Sequence, residues 1–120
     1  CYISGDIATS TGNCGGFFLN TYFTNATSTS RSVDSTGWLP VNFNSISARS
    51  PISSLPVDPI NKPPYYYAYA ASTTPTLVYK IVANMESIKF AQGGKNDVES
   101  KDGGPKNEYL EVGSDPNLDL

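Results

Sequence analysis

Apolar and polar positions alternate most cleanly in two stretches, and these predict the sheet of this chain. From Tyr65 to Ala70, Tyr65, Tyr67 and Tyr69 share one face, and Tyr66, Ala68 and Ala70 share the other. From Thr76 to Met85, Leu77, Tyr79, Ile81, Ala83 and Met85 share one face. Val78, Lys80, Val82 and Asn84 fall on the other. A two-residue period rich in aromatic and β-branched residues predicts strands over 65–70 and 76–85. The turn formers Ser72-Thr73-Thr74-Pro75 join them, so the pair reads as an antiparallel hairpin. The pattern predicts Ile81 in the core and Lys80 and Asn84 in solvent.

The rest of the chain is punctuated more than it is periodic. Leu55-Pro56-Val57-Asp58-Pro59-Ile60-Asn61-Lys62-Pro63-Pro64 is held extended by its prolines and cannot be helical. It feeds directly into the tyrosine strand. Phe17-Phe18-Leu19 with Tyr22-Phe23 predicts an apolar patch packed under the N-terminal loop. Residues 24–37 are polar and read as a surface loop. Within them Asn25-Ala26-Thr27 fits a glycosylation sequon, a match frequent by chance. Trp38-Leu39-Pro40-Val41, Phe43 and Ile46 form a second cluster, with the Trp38 ring expected in the core rather than as a sugar platform. Residues 45–50 have room for one helical turn at most. Residues 87–92 read either as a helical turn or as a strand end. Residues 93–107 hold four glycines, one proline and six charges, an exposed loop. Residues 108–112 predict a short last strand, and Leu118 and Leu120 are expected to fold back onto the body.

Composition supports a loop-rich β domain. The 120 residues make one domain, with only 16% charged side chains. It divides into a loop and proline-rich arm at 1–62 and an antiparallel sheet with C-terminal loop at 63–120. The fold class is α+β and β-rich, with three or four antiparallel strands, long ordered loops and little helix. Net charge is −3, from +1 over residues 1–85 and −4 over residues 86–120. That balance argues against nucleic acid or an anionic membrane as partner of a basic face. Cys1 and Cys14, flanked by Gly, Ser, Thr and Asn, read as a small disulfide loop, with two free thiols as the alternative. A bridge implies an oxidising compartment. The chain opens at Cys1 without a methionine, a leader or a long apolar run, and so reads as a soluble fragment.

Candidate chemistry is thin. There is no histidine, no nucleophile elbow and no phosphate loop, so no catalytic residue and no cofactor site is assigned. Asp6, Asp34 and Asp58 sit among turn residues, where a carboxylate caps backbone N–H groups more readily than it hydrolyses a sugar. The run Asp97-Val98-Glu99-Ser100-Lys101-Asp102-Gly103 could wrap a calcium ion, but Lys95 and Lys101 lie among the acids and the spacing is not an EF-hand's. It is read as a solvated loop with no metal ligand. Tyr65, Tyr67 and Tyr69 could stack on bases or sugars, but only Lys62 and Lys80 lie near, so packing is the expected use.

One resemblance spans about residues 38–113. It rests on Trp38-Leu39-Pro40, on Leu55-Pro56-Val57-Asp58-Pro59 with Asn61, and on the tyrosine strand. Ala83-Asn84-Met85-Glu86-Ser87, Asp102-Gly103-Gly104 and Tyr109-Leu110-Glu111-Val112-Gly113 complete it. In that order and spacing the chain resembles the globular head of bacterial type IV pilin-like proteins, including type II secretion pseudopilins. The resemblance implies a structural, non-catalytic filament subunit at the cell surface, membrane-anchored before assembly. It implies partners that are other pilin-like subunits, met chiefly through an N-terminal helix that this sequence lacks. The fragment alone is then expected to be monomeric. The rival reading is a secreted β-rich module that binds carbohydrate or protein, for which seven regular strand signals would be expected and three are found.

Overall fold

The two-residue period does build a sheet, and the computed structural model places five strands in it rather than the three or four expected. The model describes residues 1–5, 14, 16–18, 26–73, 76–115 and 120. The strands are β1 (Tyr2–Ser4), β2 (Ala26–Ser28), β3 (Ala68–Ser72), β4 (Val78–Ala83) and β5 (Leu110–Gly113), in spatial order β2-β1-β3-β4-β5. β3, β4 and β5 form an antiparallel meander, and β1 joins β3 antiparallel. β2 lies parallel to β1, so the sheet is mixed and not purely antiparallel. The only helical element among those named is a 3-10 turn at Phe43–Ser45, whose start is capped by the Asn42 side chain accepting from the Asn44 N–H.

The two strands that periodicity missed are each three residues long. Three residues cannot display an alternation, so no pattern announces them. β1 falls inside the expected disulfide loop, and β2 inside the expected surface loop. Cys1 and Cys14 are bridged, with Cα atoms 6.0 Å apart. Closing a loop of that length is worth about 3 kcal/mol in the chain-entropy model.

The core lies on one face of the sheet. Ile3, Ala68, Ala70 and Val82 meet Cys14, Phe17, Phe18 and Tyr66, with Cys1, Tyr109 and Leu120 packed at the margin. Phe17 sits between Tyr66 and Tyr109, at 4.7 and 4.5 Å between ring centroids, the second contact edge-on. Leu19, Tyr22, Phe23, Asn25 and Leu118 lie outside the described residues.

The facing of β4 corrects the sequence reading. Ala68 pairs with Val82 and Ala70 with Lys80, so Val82 and Lys80 point into the core with the two alanines. Lys80 is fully buried, whereas Ile81 is 41% exposed on the opposite face, with Tyr79 and Val112 also exposed there. Asn84 is half-buried rather than in solvent. Lys80 can face inward because Glu111, its diagonal neighbour on β5, faces inward too and the two form an ion pair. The Lys80 ammonium also lies 5.2 Å from the centroid of the Phe18 ring.

Candidate functional site

The outer face of the sheet presents side chains that a small free-standing domain ordinarily hides. Tyr2, Tyr69, Ile81 and Val112 lie in one row across four strands. Tyr69 stacks between Tyr2 and Tyr79, at 6.5 and 6.3 Å. Part of this face is roofed by the arm that runs from Ser30 to Asn61. The arm is fixed by polar contacts: the Leu55 N–H donates to the Arg31 carbonyl, Arg31 Nε to the Leu55 carbonyl, and the Trp38 indole N–H to the Pro56 carbonyl. Trp38 and Leu55 are buried beneath it, each worth about 2 kcal/mol of apolar burial. A hollow of about 140 Å³ remains between Trp38, Leu55, Tyr67, Tyr69 and Ile81.

Beside the arm, the outer face opens into a groove of about 520 Å³. Its floor is Ile81, Ala83, Leu110 and Tyr67, its walls are Pro56, Pro59 and Met85, and Asp58 and Glu86 stand at its edge. Burial, then Asp58 and Glu86, push the Tyr67 hydroxyl above its ordinary pKa, so it remains a neutral donor at neutral pH. The groove is therefore mainly apolar, with the Tyr67 hydroxyl, the Asp58 and Glu86 carboxylates, Asn84 and Ser87 as its polar features.

The motif residues turn out to be joinery. Asp58 Oδ1 accepts from the N–H groups of Ile60 and Asn61 at 2.8 and 3.1 Å. This capped turn lets Asn61 adopt a positive φ of 48° and accept the Ser4 hydroxyl at 3.3 Å. Ser4 in turn accepts from the Tyr67 N–H at 2.9 Å. The segment thus ties the arm to β1 and to the start of β3. Asp34 caps its own turn through the Thr36 hydroxyl and N–H, which hold its carboxyl below the ordinary range.

The acids of residues 97–111 behave the same way, and the solvated loop expected there is instead folded around them. Glu99 accepts from the Met85 N–H at 2.9 Å and the Gln92 N–H at 2.7 Å. Asp97 accepts from the Ser100 hydroxyl and N–H and from the Gly93 N–H, and these hold its carboxyl at about 2. Asp102 accepts from the N–H groups of Gly104 and Glu111. Glu111 Oε2 accepts from the Lys106 N–H at 2.9 Å, and Lys106 Nζ donates to the Gly16 carbonyl at 2.6 Å. Among the described residues no trio of acidic or cysteine side chains converges as a metal site would require. Asp6 lies outside the described residues, and Asp34 and Asp58 serve separate turns. Lys80, counted as a cation near the tyrosines, lies on the opposite face.

No described helix is long and apolar enough to cross a membrane. Neither a protein-family model nor a curated protein nor a solved structure matches the chain.

Proposed function

We propose that this chain is the head of a structural subunit in a pilin-like filament, either a type IV pilus or a secretion pseudopilus. The observation that carries this reading is the use made of the motif residues. Trp38, Leu55, Asp58 and Asn61 bind the arm onto the sheet, Tyr66 and Tyr109 pack on Phe17, and Asp102 and Glu111 seat the last loop. Their polar atoms are directed at the chain's own backbone and side chains, so their work is to hold a shape. What the shape offers is the outer sheet face, with Tyr79, Ile81 and Val112 exposed beside an apolar groove. Such a surface suits repeated lateral contact between copies in a filament, where the N-terminal helix that a pilin-like subunit carries would supply most of the assembly energy. A secreted binding module is the second reading, favoured by the groove alone.

Antibodies against this domain, applied to filaments sheared from the source cells, test the proposal. Regular immunogold labelling along filaments supports it. Domain found only free in the medium, with no labelled filament, overturns it and favours the binding module.

A further inference from the structure

The geometry points to Lys80 and Glu111 as the two ends of an intramolecular amide cross-link, formed by condensation of the side chains within the folded domain. Three features meet at this pair. Both side chains are completely buried, and Lys80 Nζ lies directly against Glu111 Oε1. Apolar groups pack on them: Phe18 lies over the amine, and Val82 and Ala70 share the face. The carboxyl group is also clamped. Its Oε2 is held by the Lys106 N–H at 2.9 Å, and Gly104 packs so closely that a Cβ there would lie 2.0 Å from that oxygen. Oε1 accepts no other hydrogen bond among the described residues.

This arrangement resembles a reaction complex more than a surface ion pair. Holding amine and carboxyl in contact replaces a bimolecular encounter with a unimolecular step. A buried environment narrows the gap between the charged pair and the neutral amine and acid, because separated charges are poorly solvated there. After one proton passes from Nζ to Oε1, the neutral amine attacks Glu111 Cδ and the Nζ–Cδ bond forms. The Lys106 N–H steadies the negative charge that develops on Oε2. A second Nζ proton moves to Oε1, the Cδ–Oε1 bond breaks, and water leaves. Oε2 becomes the amide carbonyl oxygen and one hydrogen remains on nitrogen. Charge balances, no electron is transferred, and no co-reactant is needed. The product staples β4 to β5 at the point where the 84–109 loop returns to the sheet.

Intact mass spectrometry of the folded, purified protein after denaturation tests the inference. The expected mass, after allowing for the disulfide, is lower than the sequence mass by one water. Proteolysis should then release a branched peptide joining the Lys80 and Glu111 segments. Lys80→Met should restore the full mass. Glu111→Gln should either restore it or show loss of ammonia in place of water. A wild-type protein at its full sequence mass, with no branched peptide, overturns the cross-link whether or not the variants fold.

Discussion

Two long irregular segments flank the sheet, and they are held by opposite means. The segment from 30 to 61 buries Trp38 and Leu55 along with one carboxylate, Asp58. The segment from 84 to 109 buries only Asp97 and Glu99, while Ile88 and Phe90 stand exposed on it. The first is an apolar lid fastened by a few hydrogen bonds. The second is wound around carboxylates that take backbone N–H groups as their partners. The lesson is that −4 of charge over residues 86–120 does not describe a solvated tail. It describes a fold in which acids stand in for a hydrophobic core.

The sharpest test of that contrast is Lys80→Ala. It strands Glu111, which seats the second segment, as a buried charge. The cost should be about 3–5 kcal/mol by urea unfolding, and a near-neutral result would show that water reaches the pair. Leu55→Ala probes the first segment. Cavity formation should cost about 2–5 kcal/mol, with no dependence on acid pH.

Acid itself should separate the two regions. Asp97 titrates in the folded state at about 2, below its ordinary value, so its contribution is complete above about pH 4. It is lost as the pH falls towards 2. The amide resonances of Gly93 and Ser100 should move through that window while the Trp38 indole resonance stays fixed, and joint movement would erase the distinction. The smallest effect should come from Ile81→Ala. Its side chain is half in solvent, so the loss should be about 1 kcal/mol or less. A loss equal to that of Leu55→Ala would mean that the outer face is a second core.

The paired strands of the hairpin and the last strand were legible in the sequence because alternation over five or six residues needs no knowledge of what lies above or below, although Ser72, expected in the turn, ends β3, and Thr74 and Pro75 lie outside the described residues. The direction of that alternation was not legible. Leu77, Tyr79 and Ile81 outweigh Val78, Lys80 and Val82 in apolar content, so a one-sided sheet would bury them. The sheet is instead covered on one side by Cys14, Phe17 and Phe18 and on the other only in part by the arm. The partner that lets Lys80 face inward is 31 positions away, at Glu111. The acidic loop was misread for a related reason. Asp97 and Glu99 look solvated until the glycine-rich turns around them bring their own N–H groups inward. The arm was read better, because prolines and an Asp-capped turn act locally.

The place of β1 in the sheet has a consequence for the order in which the molecule forms. It is the first strand in the chain, yet it sits between β2 and β3, with Tyr2 opposite Tyr69. β3 and β4 pair across few positions, with Ser72 opposite Val78, whereas β1 must close 67 positions to bring Tyr2 opposite Tyr69. That difference adds about 2 kcal/mol of loop-closure entropy. The hairpin is thus the natural nucleus, and the centre of the sheet is completed late. Ile3→Val should accordingly speed unfolding and leave the folding rate nearly unchanged; slowed refolding in stopped-flow would place β1 in the nucleus instead. Until β1 arrives, the inner edge of β3 is an open strand, so the newly made chain passes through a state able to pair with its neighbours.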